Sequence, residues 1–188
     1  MKKVLRTTTA LMMTAVLFVS CDNDDDNPDI INPEELITTV ELTLTNDNDA
    51  TDIVVLEAFD EDGEEGPIAP VVRQNGALTA NATYSGMVRF LDSSDPADVE
   101  DITIEVRDEA DEHEVFYVTD VAGVAIAKND VDGGGNPLGL DTTVTTGAAG
   151  SGNFTIVLRH EPTKPNDGTL TGAGGESDIE VTFPLTVQ

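Results

Sequence analysis

Two histidines stand out in a chain of 188 residues that carries thirty-seven carboxylates. His113 lies in Glu112-His113-Glu114 and His160 in Arg159-His160-Glu161, so each imidazole is followed directly by a carboxylate. Imidazole nitrogen with carboxylate oxygen is a donor set suited to zinc, copper or nickel. Both histidines fall at expected strand ends. If those strands are neighbours, His113, Glu114, His160 and Glu161 make a site of two imidazoles and two carboxylates. The alternative is two surface histidines whose pKa values are raised by nearby acids.

Calcium is the second candidate. Asp130-Val131-Asp132-Gly133 and Asp60-Glu61-Asp62-Gly63 both hold the D-x-D-G core of oxygen-rich calcium loops. An EF-hand needs an acid or amide two positions earlier, where this chain has Lys128 and Ala58. Both loops therefore also read as plain acidic turns, in which Asp and Gly are favoured for backbone reasons. Asp47 and Asp49 form a third acidic turn of this kind.

Catalytic patterns are missing from the sequence. There is no Gly-x-Ser-x-Gly, no P-loop lysine and no His-Glu-x-x-His. Gly133-Gly134-Gly135 has no lysine behind it and opens no helix, so it is not expected to cradle phosphate. The expectation is a protein that binds rather than one that catalyses. Leu158-Arg159-His160-Glu161-Pro162-Thr163-Lys164-Pro165 gathers three of the rarer residue types and reads as a recognition loop or as a turn that balances charge.

The elements that would position these residues are strands. Leu36 to Thr45 alternates, with Val40, Leu42 and Leu44 opposed to Glu41, Thr43 and Thr45. Asp52 to Phe59 reads as a second, more buried strand, Ala82 to Leu91 alternates again, and residues 68–73 suit a short edge strand near Pro67 and Pro70. Residues 92–114 admit two readings: Ile102, Ile104 and Val106 alternate, while Val99, Ile102 and Val106 fit a helical stripe. Their β-branched content favours strand. Val115 to Thr119, Gly123 to Ala127 and Ile179 to Val187 complete the set. Leu138 to Thr146 and Gly152 to His160 bracket a small-residue turn and read as a hairpin. About eight short strands with turn chemistry between them predict an all-β domain over residues 35–188, an antiparallel β-sandwich of immunoglobulin-like type.

The N-terminus carries an address. Met1, Lys2, Lys3 and Arg6 make a positive segment, and Ala10 to Val19 an apolar one too short to span a bilayer. Residues 1–20 thus read as a signal peptide. Phe18-Val19-Ser20-Cys21 has the form of a lipobox, and Cys21 is the sole cysteine. Lipidated there, the chain would be held at the membrane by several acyl chains, a stable anchor. Residues 21–34, with Pro28 and Pro33, would be an acidic tether. Loss of the signal leaves six basic residues against all thirty-seven acids. Such a field repels nucleic acid and anionic lipid and suits cations or a basic partner. The absence of Trp weakens a sugar-stacking role.

The Cys-Asp-Asn-Asp-Asp-Asp start, Glu35-Leu36-Ile37-Thr38-Thr39-Val40, Asn136-Pro137-Leu138-Gly139-Leu140, and the run from Leu158 to Gly168 resemble a group of small Bacteroidota outer-membrane lipoproteins. The resemblance covers nearly all of the chain after the signal. Some of that group are labelled type 1 periplasmic-binding-fold, whereas the strand pattern here predicts a sandwich. The resemblance implies an outer-membrane, surface-exposed lipoprotein that accompanies a TonB-dependent receptor. Its expected role is accessory capture of a metal ion or metal complex. The alternative is a structural or adhesive surface module rigidified by calcium at Asp60 and Asp62 or Asp130 and Asp132.

Overall fold

A computed structural model describes residues 36–62 and 68–188. The signal segment, Cys21, the tether 21–34 and Gly63 lie outside the described residues. Within them run ten strands and two short helices: β1 (Thr39–Asn46), β2 (Asp49–Phe59), β3 (Val71–Gln74), β4 (Thr83–Asp92), β5 (Glu100–Asp101), α1 (Thr103–Asp108), β6 (His113–Thr119), β7 (Ala125–Lys128), β8 (Asp141–Thr145), β9 (Gly150–His160), α2 (Leu170–Ala173) and β10 (Glu176–Val187). One sheet has the order β3-β2-β1-β4-β8-β7, with β5 beside β4; the other has the order β10-β9-β6. Every strand pairing is antiparallel. The protein is an all-β sandwich.

Period-two alternation builds the core. Val40, Leu42 and Leu44 of β1, Val54, Leu56 and Ala58 of β2, and Tyr84, Val88 and Phe90 of β4 face inward. From the small sheet come Val115, Phe154, Ile156, Leu158, Ile179, Val181, Phe183 and Leu185. All join one buried cluster between the sheets. Burial of this apolar surface drives the pairing of the two layers. The outer face of the small sheet carries a second cluster of Phe116, Val157 and Ala173, with Leu170 against it, so α2 and its loop cover that face.

Two sequence expectations are corrected. Residues 103–108 are helical. Ile102 and Val106, one turn apart, are buried, while Ile104 between them is exposed, the reverse of strand alternation. The Thr103 hydroxyl, which accepts from Phe90 N at 2.9 Å and donates to Phe90 O at 3.2 Å, pins the helix to β4. Secondly, β8 and β9 do not form a hairpin. β8 pairs with β4 and β7, and β9 with β6 and β10. The small-residue run from Gly147 to Ala149 crosses between sheets, and local turn chemistry does not distinguish these two outcomes.

β10 is a long edge strand. Its inner edge pairs with β9 from Glu176 to Val187, with Pro184 opposite Asn153. Among the described residues its outer edge meets only an isolated parallel bridge, Leu78 to Val187.

Gly139 shows how tightly the loop before β8 is fitted. Its φ is 97°, and a Cβ there would lie 2.8 Å from the Val115 carbonyl oxygen. Its own carbonyl accepts from the Tyr117 hydroxyl at 2.7 Å. Gly139→Ala should therefore lower stability by about 1–3 kcal/mol through backbone strain and the clash, measured as a shift in the urea midpoint at unchanged slope.

Candidate metal centre

His113 opens β6 and His160 closes β9, and the ladder places them directly opposite each other. Both share the inward parity of Val115 and Leu158, so the two rings sit at one end of the inter-sheet face. The rings stack with centroids 4.8 Å apart and planes 21° from parallel. The third member is Asp178 of β10. Its Oδ2 lies 3.7 Å from His113 Nε2, and its Oδ1 lies 3.7 Å from His160 Nδ1. One ligand atom from each residue lies within 4.8 Å of the others. Side-chain exposure is 5% for His113, 15% for His160 and 4% for Asp178.

A β-bulge makes this meeting possible. Ile179, Val181 and Phe183 all face inward, so unbroken alternation would send Asp178 outward with Glu180. The β10–β9 register shifts between Ser177 and Ile179, and the extra residue is Asp178. Bulges re-aim a side chain in this way. The site thus takes one residue from each of the three strands of the small sheet.

Burial pushes the His113 imidazole below the usual range, against the opposing pull of the Glu109 carbonyl and the Glu109 and Glu112 charges. His113 Nδ1 lies 3.2 Å from the Glu109 carbonyl oxygen. A carbonyl only accepts, so Nδ1 donates to it and Nε2 is the ring nitrogen that faces Asp178.

The carboxylates expected beside the histidines lie elsewhere. Glu114, one residue on, takes the opposite face of β6. It accepts from Lys128 Nζ at 2.5 Å and from Asn166 Nδ2 at 2.7 Å. Lys128 Nζ also sits 4.1 Å from the centroid of the Phe116 ring. Glu161 is exposed, with a φ of 49°. Strict alternation is the reason for Glu114, since a residue adjacent to an inward histidine within a strand cannot share its face, while Glu161 lies past the end of β9. Asp178 gave no signal in the sequence, because a bulge is not written in period-two patterning. Glu114→Gln should therefore leave metal binding unchanged while lowering stability by about 2 kcal/mol, through the weakened hydrogen bond from half-buried Lys128. Equal loss of metal by this variant and by His113→Ala would refute the assignment.

The calcium candidates are engaged within the fold. Asp130 accepts from Gly139 N at 2.7 Å and Leu140 N at 3.0 Å. Asp132 accepts from Gly134 N, Asn136 N and Lys164 Nζ at 2.9, 2.8 and 3.2 Å. Asp62 accepts from Ile68 N at 3.2 Å, and Asp60 from Asp62 N at 3.4 Å. Asp47 accepts from the Ser85 hydroxyl and Asp49 from Thr51. These are turn-closing roles for Asp, and among the described residues these loops do not gather the several converging oxygens of a calcium site.

No protein-family model, no curated protein and no solved structure matches this chain.

Proposed function

We propose that this protein is a non-enzymatic, lipid-anchored surface protein that captures a divalent transition-metal ion or a complex of one. In this reading it serves an outer-membrane receptor as a binding accessory. One observation carries the binding role: His113, His160 and Asp178 bring two imidazoles and a carboxylate within ligand spacing of one another, under near-complete burial. Such nitrogen-rich sets suit zinc, copper or nickel, whereas calcium takes six to eight oxygens. The anchor rests on the lipobox ending at Cys21, and the receptor on the resemblance drawn from the acidic start and the Leu158–Gly168 run. The negative charge of the chain favours a cationic cargo.

The test is metal retention. The full chain is loaded with zinc or copper, passed over a desalting column and assayed for bound metal. About one ion per chain should be retained, and none in the His113→Ala, His160→Ala double variant. Equal retention by both proteins would overturn the reading.

A further inference from the structure

We propose that the bound ion is a bare zinc-class cation held by three protein ligands, with Asp178 as the third and the fourth coordination position open for exchange. The inference rests on the metal-capture reading above and specifies its cargo and its mode of release.

The geometry is close to what such an ion requires. Zinc bonds imidazole nitrogen and carboxylate oxygen at about 2.0–2.2 Å, which sets tetrahedral ligand atoms about 3.3 Å apart. The two histidine–carboxylate separations are each 3.7 Å, beyond hydrogen-bond reach and a few tenths of an ångström from that spacing. The two rings, stacked 21° from parallel, turn toward each other on loading so that their in-plane lone pairs meet at the ion. The Glu109 carbonyl engages His113 Nδ1 and leaves Nε2 as the ring nitrogen facing Asp178. A carbonyl behind a ligating imidazole is the usual outer-shell support of a metal histidine. The bulge at Ser177–Ile179 delivers Asp178 to both rings at once, with one carboxylate oxygen toward each.

The count of ligands stops at three. Among the described residues no fourth His, Cys, Asp or Glu joins the group. Closed structural zinc sites have four protein ligands, whereas a set of three leaves a position for water or for an incoming donor. His160 is the most exposed of the three residues, so the open position lies on its side. The low exposure of the three side chains favours a bare ion over a bulky chelate. An ion held in this way can be handed over by ligand exchange, which suits a carrier better than a structural clasp.

Cobalt(II) is the probe, since its visible bands report coordination number. The full chain is titrated with Co²⁺, azide is then added, and both steps are repeated on Asp178→Asn and on the double-histidine variant. The expected result is the band pattern of a four-coordinate site that shifts on adding azide. Asp178→Asn should lose more than the roughly 10- to 100-fold in affinity that removal of an outer-shell partner costs. Bands indifferent to azide would overturn the open position in the wild-type protein, without appeal to any variant. Affinity undiminished in Asp178→Asn but lost in the double-histidine variant would overturn the third ligand while leaving metal capture standing. Failure of the wild type to bind Co²⁺ or Zn²⁺ would remove the capture reading itself, and this inference with it.

Discussion

Zinc added to the full-length protein at about 100 times its dissociation constant raises the melting temperature by about 5–10 °C. Binding to the native state alone contributes about 2.7 kcal/mol at that excess, and a domain of this size shifts by roughly 2–4 °C per kcal/mol. The effect is large because the site exists only when β6, β9 and β10 are assembled: His113, His160 and Asp178 lie far apart in the unfolded chain. The shift should vanish in the His113→Ala, His160→Ala variant. Calcium should not reproduce it, since the Asp60–Asp62 and Asp130–Asp132 turns already hold their carboxylates in backbone hydrogen bonds. Differential scanning fluorimetry with chelator, zinc and calcium in separate runs reads this directly. A calcium-only shift would move the function to a rigidified surface module.

The second large effect lies beside the site. Lys164→Met should lower stability by about 3–5 kcal/mol, the range for removing one partner of a buried ion pair. Lys164 is 7% exposed and Asp132 1%. The Lys164 ammonium donates to the Ala110 and His113 carbonyls, each at 2.6 Å, as well as to Asp132 at 3.2 Å. It therefore fastens the loop after His160 onto the start of β6. The change strands the Asp132 charge and frees two carbonyls. Guanidinium unfolding of both proteins measures the loss; a change under 1 kcal/mol would mean that the pair is solvated in solution.

Acid should act on the same pair. Burial pushes the Asp132 carboxyl up, but hydrogen bonds from Asn136 and Lys164 and the Lys164 charge outweigh it and hold it at about 2, against an ordinary 3.8. A carboxyl whose folded pKa lies below its unfolded value contributes stability that is complete above 3.8 and is lost as pH falls toward 2. The slope of stability against pH between about 4 and 2 should therefore be shallower in Asp132→Asn than in the wild type, as read from urea midpoints across that range.

Much of the fold is legible in the sequence because alternation survives burial. The strands around Val40-Leu42-Leu44, Tyr84-Val88-Phe90 and Ile179-Val181-Phe183 are plain in the pattern, and so is the short edge at Val71–Gln74. What is not legible depends on spacing that composition leaves open. Ile102 and Val106 fit either period, and the hydrogen bonds that tie the Thr103 hydroxyl to the Phe90 backbone are not written in that pattern. The crossing after Thr145 has the same residues as a hairpin turn. At the site, the histidines are conspicuous by rarity, and their strand-end positions allow them to meet. The choice of Glu114 and Glu161 as partners assumed that sequence neighbours share a site, which alternation forbids. Asp178 enters through a register shift, a property of the pairing between two strands rather than of either one.

Pro184 gives the long outer edge of β10 a built-in limit on growth. A strand of twelve residues whose outer edge carries, among the described residues, one isolated bridge is a template on which a second copy of the chain could extend the sheet. Proline carries no amide hydrogen, so the donor row is interrupted near its centre, and the exposed acid Glu180 adds charge repulsion between like copies. A concentrated solution of this protein should therefore remain a population of separate molecules, rather than nucleating continuous β-structure from edge to edge.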